Sequence, residues 1–157
     1  NPCSNQGVNM NAITPIDPFR ATIERSIDID ATTEIIFESI LDEMLALPDG
    51  KGGFLSFKLE AFPGGRWYRD LGNDAGHLWG HVQVIKPPTV LEIYGPLMIS
   101  SAAISHVTYR VKSEKGKNQL VITHKLFGDF DPKIPEMVGG GWQTIVDNIR
   151  NRATRVR

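Results

Sequence analysis

Between Phe54 and Phe127 the chain alternates apolar and polar residues at period two in roughly six successive runs, and most of the breaks hold too few residues for a helix. Strands joined so tightly pair antiparallel, because a parallel crossover needs about a dozen residues or more. Phe54 to Phe62 sets Leu55, Phe57, Leu59 and Ala61 against Ser56, Lys58 and Glu60. Pro63-Gly64-Gly65 turns the chain into Arg66–Leu71. Gly72 to Gly76 then supplies the glycine and Asn/Asp that a hairpin with positive φ needs. His77–Lys86 ends at Pro87-Pro88, which cannot continue a ladder, and Thr89–Tyr94 ends at Gly95-Pro96. Leu97 to Ala103 fits either a loop or a strand edge. Ile104–Val111 and Gln119–Phe127 flank the charged turn SEKGKN and form the clearest hairpin.

Two helices bracket this run. Phe19 to Ile29 alternates as a half-buried strand with Ala21, Ile23, Ile27 and Ile29 on one side. Asp30 or Thr32 then caps a helix whose Ile36, Ile40, Met44 and Leu47 lie on one face, and Pro48-Asp49-Gly50 ends it. Trp142, Ile145, Ile149 and Val156 predict an amphipathic C-terminal helix opening at Gly141, with Gly139 to Gly141 marking its start and the loop before it. The alternative for those glycines is room for a ligand, or a hinge, at a cavity mouth. This order predicts an α+β fold in which helices cover one face of an antiparallel sheet.

At 157 residues and 41% apolar composition, one domain over 19–157 is expected after a flexible leader, 1–18. The 17 basic and 18 acidic residues are scattered, forming neither the stripe that nucleic acid requires nor a polybasic membrane patch. No apolar run approaches the ~20 residues of a membrane helix. A single cysteine, Cys3, leaves no internal disulfide framework and fits a reducing cytoplasm. Its surroundings fit a flexible tail, a trimmed signal, a lipid-attachment remnant or a cloning scar.

The chain resembles the helix-grip (START-like, Bet v 1-like, SRPBCC) superfamily. Within it, the chain is similar to bacterial proteins named after the C-terminal domain of the activator of Hsp90 ATPase. The resemblance runs from Ile23 to about Arg155 and lies in TIERSIDIDATTEIIFESI, Pro63-Gly64-Gly65-Arg66, Gly80-x-Val82 through Pro87-Pro88 to Leu91, VTYRV, VITHKLFG and Gly141-Trp142. It implies a sheet of about six or seven strands curved around the C-terminal helix, with a cavity between them. Members of the superfamily include lipid and hormone binders and polyketide cyclases, so activity does not carry over with the fold. The narrower family name implies Hsp90 as a partner.

Period two places Leu55, Phe57, Leu59, Leu78, Gly80, Val82, Leu91, Ile93, Val107, Tyr109, Leu120, Ile122 and His124 on the face toward the helix. A bulge at His77 to His81 would shift that parity. The expected function is binding of a small, mainly apolar molecule in the cavity. The candidate lining is Phe57, Leu59, Trp67, Leu78, Val82, Ile93, Tyr109 and His124, with Met137, Trp142 and Ile145 from the helix. His124 has two readings: a core histidine bonded to a carbonyl or to the Tyr109 hydroxyl, or a polar anchor or general base of a cyclase-like or hydrolase-like enzyme. A chaperone-interaction module is the other alternative.

No catalytic nucleophile motif, phosphate loop or cofactor motif is present, so no cofactor is expected. His77 and His81 lie ~13 Å apart along a strand, too far to share a metal, and no metal site is expected. With Trp79, and with His106 from across the sheet, they predict a solvated or homodimer-facing outer surface. Arg66, Arg69, Asp70 and Asp74 form either a solvated rim or an anion-recognising mouth.

Overall fold

The computed structural model describes residues 19–155. The leader, Cys3 and Val156 lie outside them. Seven antiparallel strands form one curved sheet in the order β1-β9-β8-β7-β6-β5-β4. They are β1 (Phe19–Asp28), β4 (Lys58–Leu59), β5 (Arg66–Gly72), β6 (Ala75–Lys86), β7 (Val90–Gly95), β8 (Ala103–Glu114) and β9 (Lys117–Gly128). A two-stranded ribbon, β2 (Ala46–Pro48) with β3 (Phe54–Ser56), stands apart from it. Helices α1 (Thr33–Leu45) and α2 (Ile134–Arg155) cover the inner face and pack on each other. This is the helix-grip arrangement.

The inner face is built by register. Ile23, His124, Val107, Ile93 and Val82 stand side by side across five strands, and Ile122, Tyr109, Leu91 and Ile85 form the adjacent row. Onto these rows α1 lays Ile36, Phe37, Ile40 and Met44, while α2 lays Val138, Trp142, Val146, Ile149 and Ala153, all buried. Thr32 caps α1 by accepting from the Ile35 N–H, as the sequence predicts. The β5–β6 turn uses Asn73 (φ 53) and Asp74 (φ 61), the left-handed pair that suits a twisted hairpin.

Four sequence expectations are corrected. The first helix stops at Leu45, and Leu47 is instead buried in β2. The ribbon pairing of Ala46–Pro48 with Phe54–Ser56 wins over the apolar helical spacing. The run Phe54–Phe62 breaks at Phe57, whose N–H donates to the Leu45 carbonyl, so its two halves belong to different sheets.

Parity in β6 inverts at a bulge. Trp67 pairs with Gly80 and Tyr68 with Leu78, which leaves Trp79 as the extra residue. Trp79 therefore packs edge-on against Phe57 and Trp67, and Leu78 is 46% exposed. A second shift at Gln83 returns Ile85 to the core. Gly80 and Gly95 permit the first bulge: a Cβ on Gly95 (φ +154) would lie 2.5 Å from the Gly80 Cα.

Finally, α2 begins at Ile134 and runs through Gly139, Gly140 and Gly141. Asp131 starts it, its carbonyl accepting from Ile134 N–H and its Oδ1 from Lys133 N–H. Pro135 is tolerated in the first turn and Glu136 complements the dipole there. The glycines lengthen rather than open the helix because Val138 is already buried one turn before Trp142.

Candidate functional site

The most polar point of the inner face is where α2 crosses β8 and β9. His124 is fully buried. The Trp142 indole N–H donates to its Nδ1 at 2.9 Å, and its Nε2 lies 2.8 Å from Ser105 Oγ. An indole nitrogen can only donate, so Nδ1 must be the acceptor and the neutral ring carries its proton on Nε2, donating to Ser105. Burial lowers the His124 pKa to about 4. Serine and histidine thus meet at hydrogen-bond distance with the polarity opposite to a hydrolase pair, since the histidine gives a proton to the hydroxyl. Both ring nitrogens are occupied, and the partners are Trp142 and Ser105 rather than a carbonyl or Tyr109.

The Tyr109 ring packs edge-on against Trp142 at 5.8 Å, and burial, then the Glu43 carboxylate, raises its pKa. Glu43 is itself buried in α1. Desolvation raises its pKa, while hydrogen bonds from Asn148 (2.9 Å) and Arg152 (3.0 Å) oppose the shift. These residues border a cleft of about 400 Å³ at the C-terminal end of α2, with Phe54 and Pro48 on its other wall.

Near the other end of α2 the loop 96–102 opens a cleft of about 500 Å³ against β5 and β6. Its floor abuts the Phe57–Trp67–Trp79 cluster, where the Trp67 indole donates to the Met44 carbonyl at 2.8 Å. Loop 96–102 is tied to the segment before α2 by Ser101 Oγ donating to the Asp129 carbonyl and Asp129 N–H donating to that of Ala102.

Of the candidate lining, Phe57, Trp67, Val82, Ile93, Tyr109, His124 and Trp142 are buried together, and Leu59 and Ile145 pack against them half-buried. Leu78 and Met137 stand apart, at 46% and 65% exposure, the one turned out by the bulge and the other by the helix face on which Val138 points in. On the outer face His81 stacks on Tyr94, and Tyr94 pairs in turn with His106. His77 is exposed in the hairpin. Among the described residues no cluster of three His, Cys, Asp or Glu could hold a metal, and no helix is long and apolar enough to cross a membrane. Ser105, Glu43, Asn148 and Arg152 were not singled out by sequence. Ser105 lies two residues before Val107 on the inward parity, and Glu43 sits on the buried stripe of α1, so both were within reach of periodicity.

No family model matches the chain, and no curated protein matches it. Solved structures do. An uncharacterized protein from Rhizobium leguminosarum aligns at a TM-score of 0.68 and 19% identity over 88% of this chain and 97% of its own. Ara h 8.0201 aligns at 0.61 and 9% identity over 87% and 99%. The di-domain ARO/CYC protein BexL, from the BE-7585A biosynthetic pathway, aligns at 0.57 and 13% identity over 86% of this chain and 50% of its own. At these identities the likeness carries the fold alone, which is the helix-grip fold the sequence predicts.

Proposed function

We propose that this domain binds a small, mainly apolar molecule on the inner face of the sheet beneath α2, admitted at the end where loop 96–102 opens. The supporting observation is the build of the covering helix. Gly139, Gly140 and Gly141 lie within it, one turn from the Trp142 that fastens it to His124. Each glycine weakens a helix interior by ~1 kcal/mol relative to alanine. The segment Ile134–Gly141 is therefore the cheapest part of the cover to open, and its Ile134 lines a second cleft that shares Ile99, Ser100 and Ser101 with the loop cleft.

Trp67, Tyr109, Trp142 and His124 are close-packed in the resting fold, so a ligand reaches them by parting α2 from the sheet, with Trp79 at the entrance. Apolar surroundings with few polar groups suit a small-molecule site. Because His124 offers no unoccupied acceptor, binding is favoured over general-base catalysis at this residue. The fold likeness to the ARO/CYC protein leaves the ligand's identity open.

Titration with octan-1-ol, followed by the three indole N–H signals in NMR and by calorimetry, tests the reading. Saturable one-to-one binding that shifts the Trp142 signal is expected. Absence of saturation with octan-1-ol and with a panel of monocyclic aromatic alcohols would refute it. A chaperone partnership is a separate reading, checked by whether the protein changes the ATPase rate of Hsp90. The surface open to homodimerisation is Tyr94, Ile104 and Phe127 on the outer face rather than Trp79, and light scattering at micromolar concentration tests it.

A further inference from the structure

Of the cations around the β5–β6 hairpin, Arg66 and Lys58 are paired with carboxylates and Arg69 is not. Arg66 binds Glu60 at 2.7 Å, and Lys58 binds Asp70 at 2.9 Å. Arg69 takes part in none of the ion pairs among the described residues, and its Nε is buried without a hydrogen-bond partner. A buried guanidinium N–H left unsatisfied is costly, and native proteins retain such a group where something else completes it.

The position of Arg69 says what could complete it. Two residues beyond the inward-facing Trp67, it lines the cleft of about 500 Å³ together with Leu78, Trp79, Leu97, Met98 and Ser100. That wall is apolar and partly uncovered: Leu78 is 46% and Met98 42% exposed. Leu97 holds a left-handed backbone (φ 52), unusual for a leucine, fixed by its N–H donating to the Trp79 carbonyl at 2.8 Å. Strain in the wall of a cleft, beside an unpaired cation, is a combination that marks ligand sites.

From this we infer that Arg69 is the anchor for the carboxylate of an amphipathic organic acid whose apolar body lies against Trp79, Leu97 and Met98. The inference rests on the small-molecule reading above and names its ligand class. Once the side chain turns its buried Nε toward the cleft, the guanidinium presents Nε–H and Nη–H side by side, the spacing of two carboxylate oxygens. A dianionic phosphate is disfavoured, because Arg69 is a single cation and Asp74, which takes part in no ion pair among the described residues, lines the adjoining cleft. Ser100 supplies a hydroxyl within the same cleft.

The test compares octanoate with octan-1-ol, and with octyl phosphate, by calorimetry at fixed ionic strength on wild type, Arg69→Gln, Arg69→Lys and Arg66→Gln. Wild type is expected to bind octanoate roughly tenfold or more tighter than octan-1-ol, the ratio a charge-assisted pair supports. Arg69→Gln should erase that preference while leaving the alcohol unchanged, Arg69→Lys should restore part of it, and Arg66→Gln should keep it. Equal affinity for acid and alcohol in wild type, an unchanged preference in Arg69→Gln, or tighter binding of octyl phosphate than octanoate overturns the assignment and leaves the apolar-ligand reading standing. Failure of acid and alcohol alike to bind wild type overturns both.

Discussion

Replacing Gly140 and Gly141 by alanine isolates the covering helix from everything it touches. Both residues are exposed, neither has a positive φ, and a Cβ at either would meet no atom within 4 Å. The substitution therefore adds helix propensity with no steric cost. At about 0.8–1 kcal/mol each, the pair should stabilise the fold by about 2 kcal/mol. For a chain of this size that is a rise in Tm of roughly 4–8 °C, read by calorimetry or by circular dichroism at 222 nm. If ligands enter by unwinding Ile134–Gly141, the same change raises the opening barrier and slows octan-1-ol association about 30-fold in stopped-flow tryptophan fluorescence. Gly139→Ala is the internal contrast. Its Cβ would sit 3.0 Å from Arg25 Nη2, which itself donates to the Gly139 carbonyl, so little or no gain is expected there. A double variant no more stable than wild type would mean that the helix starts only at Trp142, and the hinge argument would fall with it. A stabilised variant with unchanged association would leave the helix intact and refute the gate.

Three further outcomes follow from the inner face and its edges. The folded His124 pKa lies near 4, below the 6.5 of the unfolded chain, so the unfolded state takes up the proton first as pH falls. Stability should be full above pH ~6.5 and decline toward pH 4 by about 3 kcal/mol, visible in urea midpoints, and Trp142→Phe should raise the His124 pKa in NMR titration by removing the donor that excludes a proton from Nδ1. Arg152→Met should cost about 2 kcal/mol in urea unfolding, because buried Glu43 loses a partner that is itself partly solvated. Trp79→Ala should cost about 3 kcal/mol while Leu78→Ala stays within about 0.5, and the reverse order would refute the bulge.

What the sequence made legible was whatever repeats. Alternation along β8 and β9 located His124 among inward residues, and the Thr32 cap and the Asn73-Asp74 turn were readable from residue type alone. What it concealed were events at single residues. The bulge at Trp79 depends on Gly80 facing Gly95 across the ladder, a tertiary coincidence no local pattern carries, and it exchanged the roles of Leu78 and Trp79. The glycine triplet was misplaced because propensity argues against helix there, whereas burial of Val138 and Trp142 on one face overrides it. The tautomer of His124 could not be foreseen either. It is fixed by a tryptophan 18 residues away in sequence and by a serine on the neighbouring strand.

The strand order has a consequence for how the molecule comes into being. Among the described residues β1, the first strand, pairs only with β9, the last, across roughly ninety intervening residues. During synthesis it must wait with one apolar side uncovered until Lys117–Gly128 has left the ribosome, and α2 cannot find Ile23 and Arg25 before then. A nascent chain halted ahead of Lys117 would hold a short meander with its opening strand unseated, a natural client for a holding chaperone. Closure of the sheet and delivery of the helix that covers it are therefore one late event.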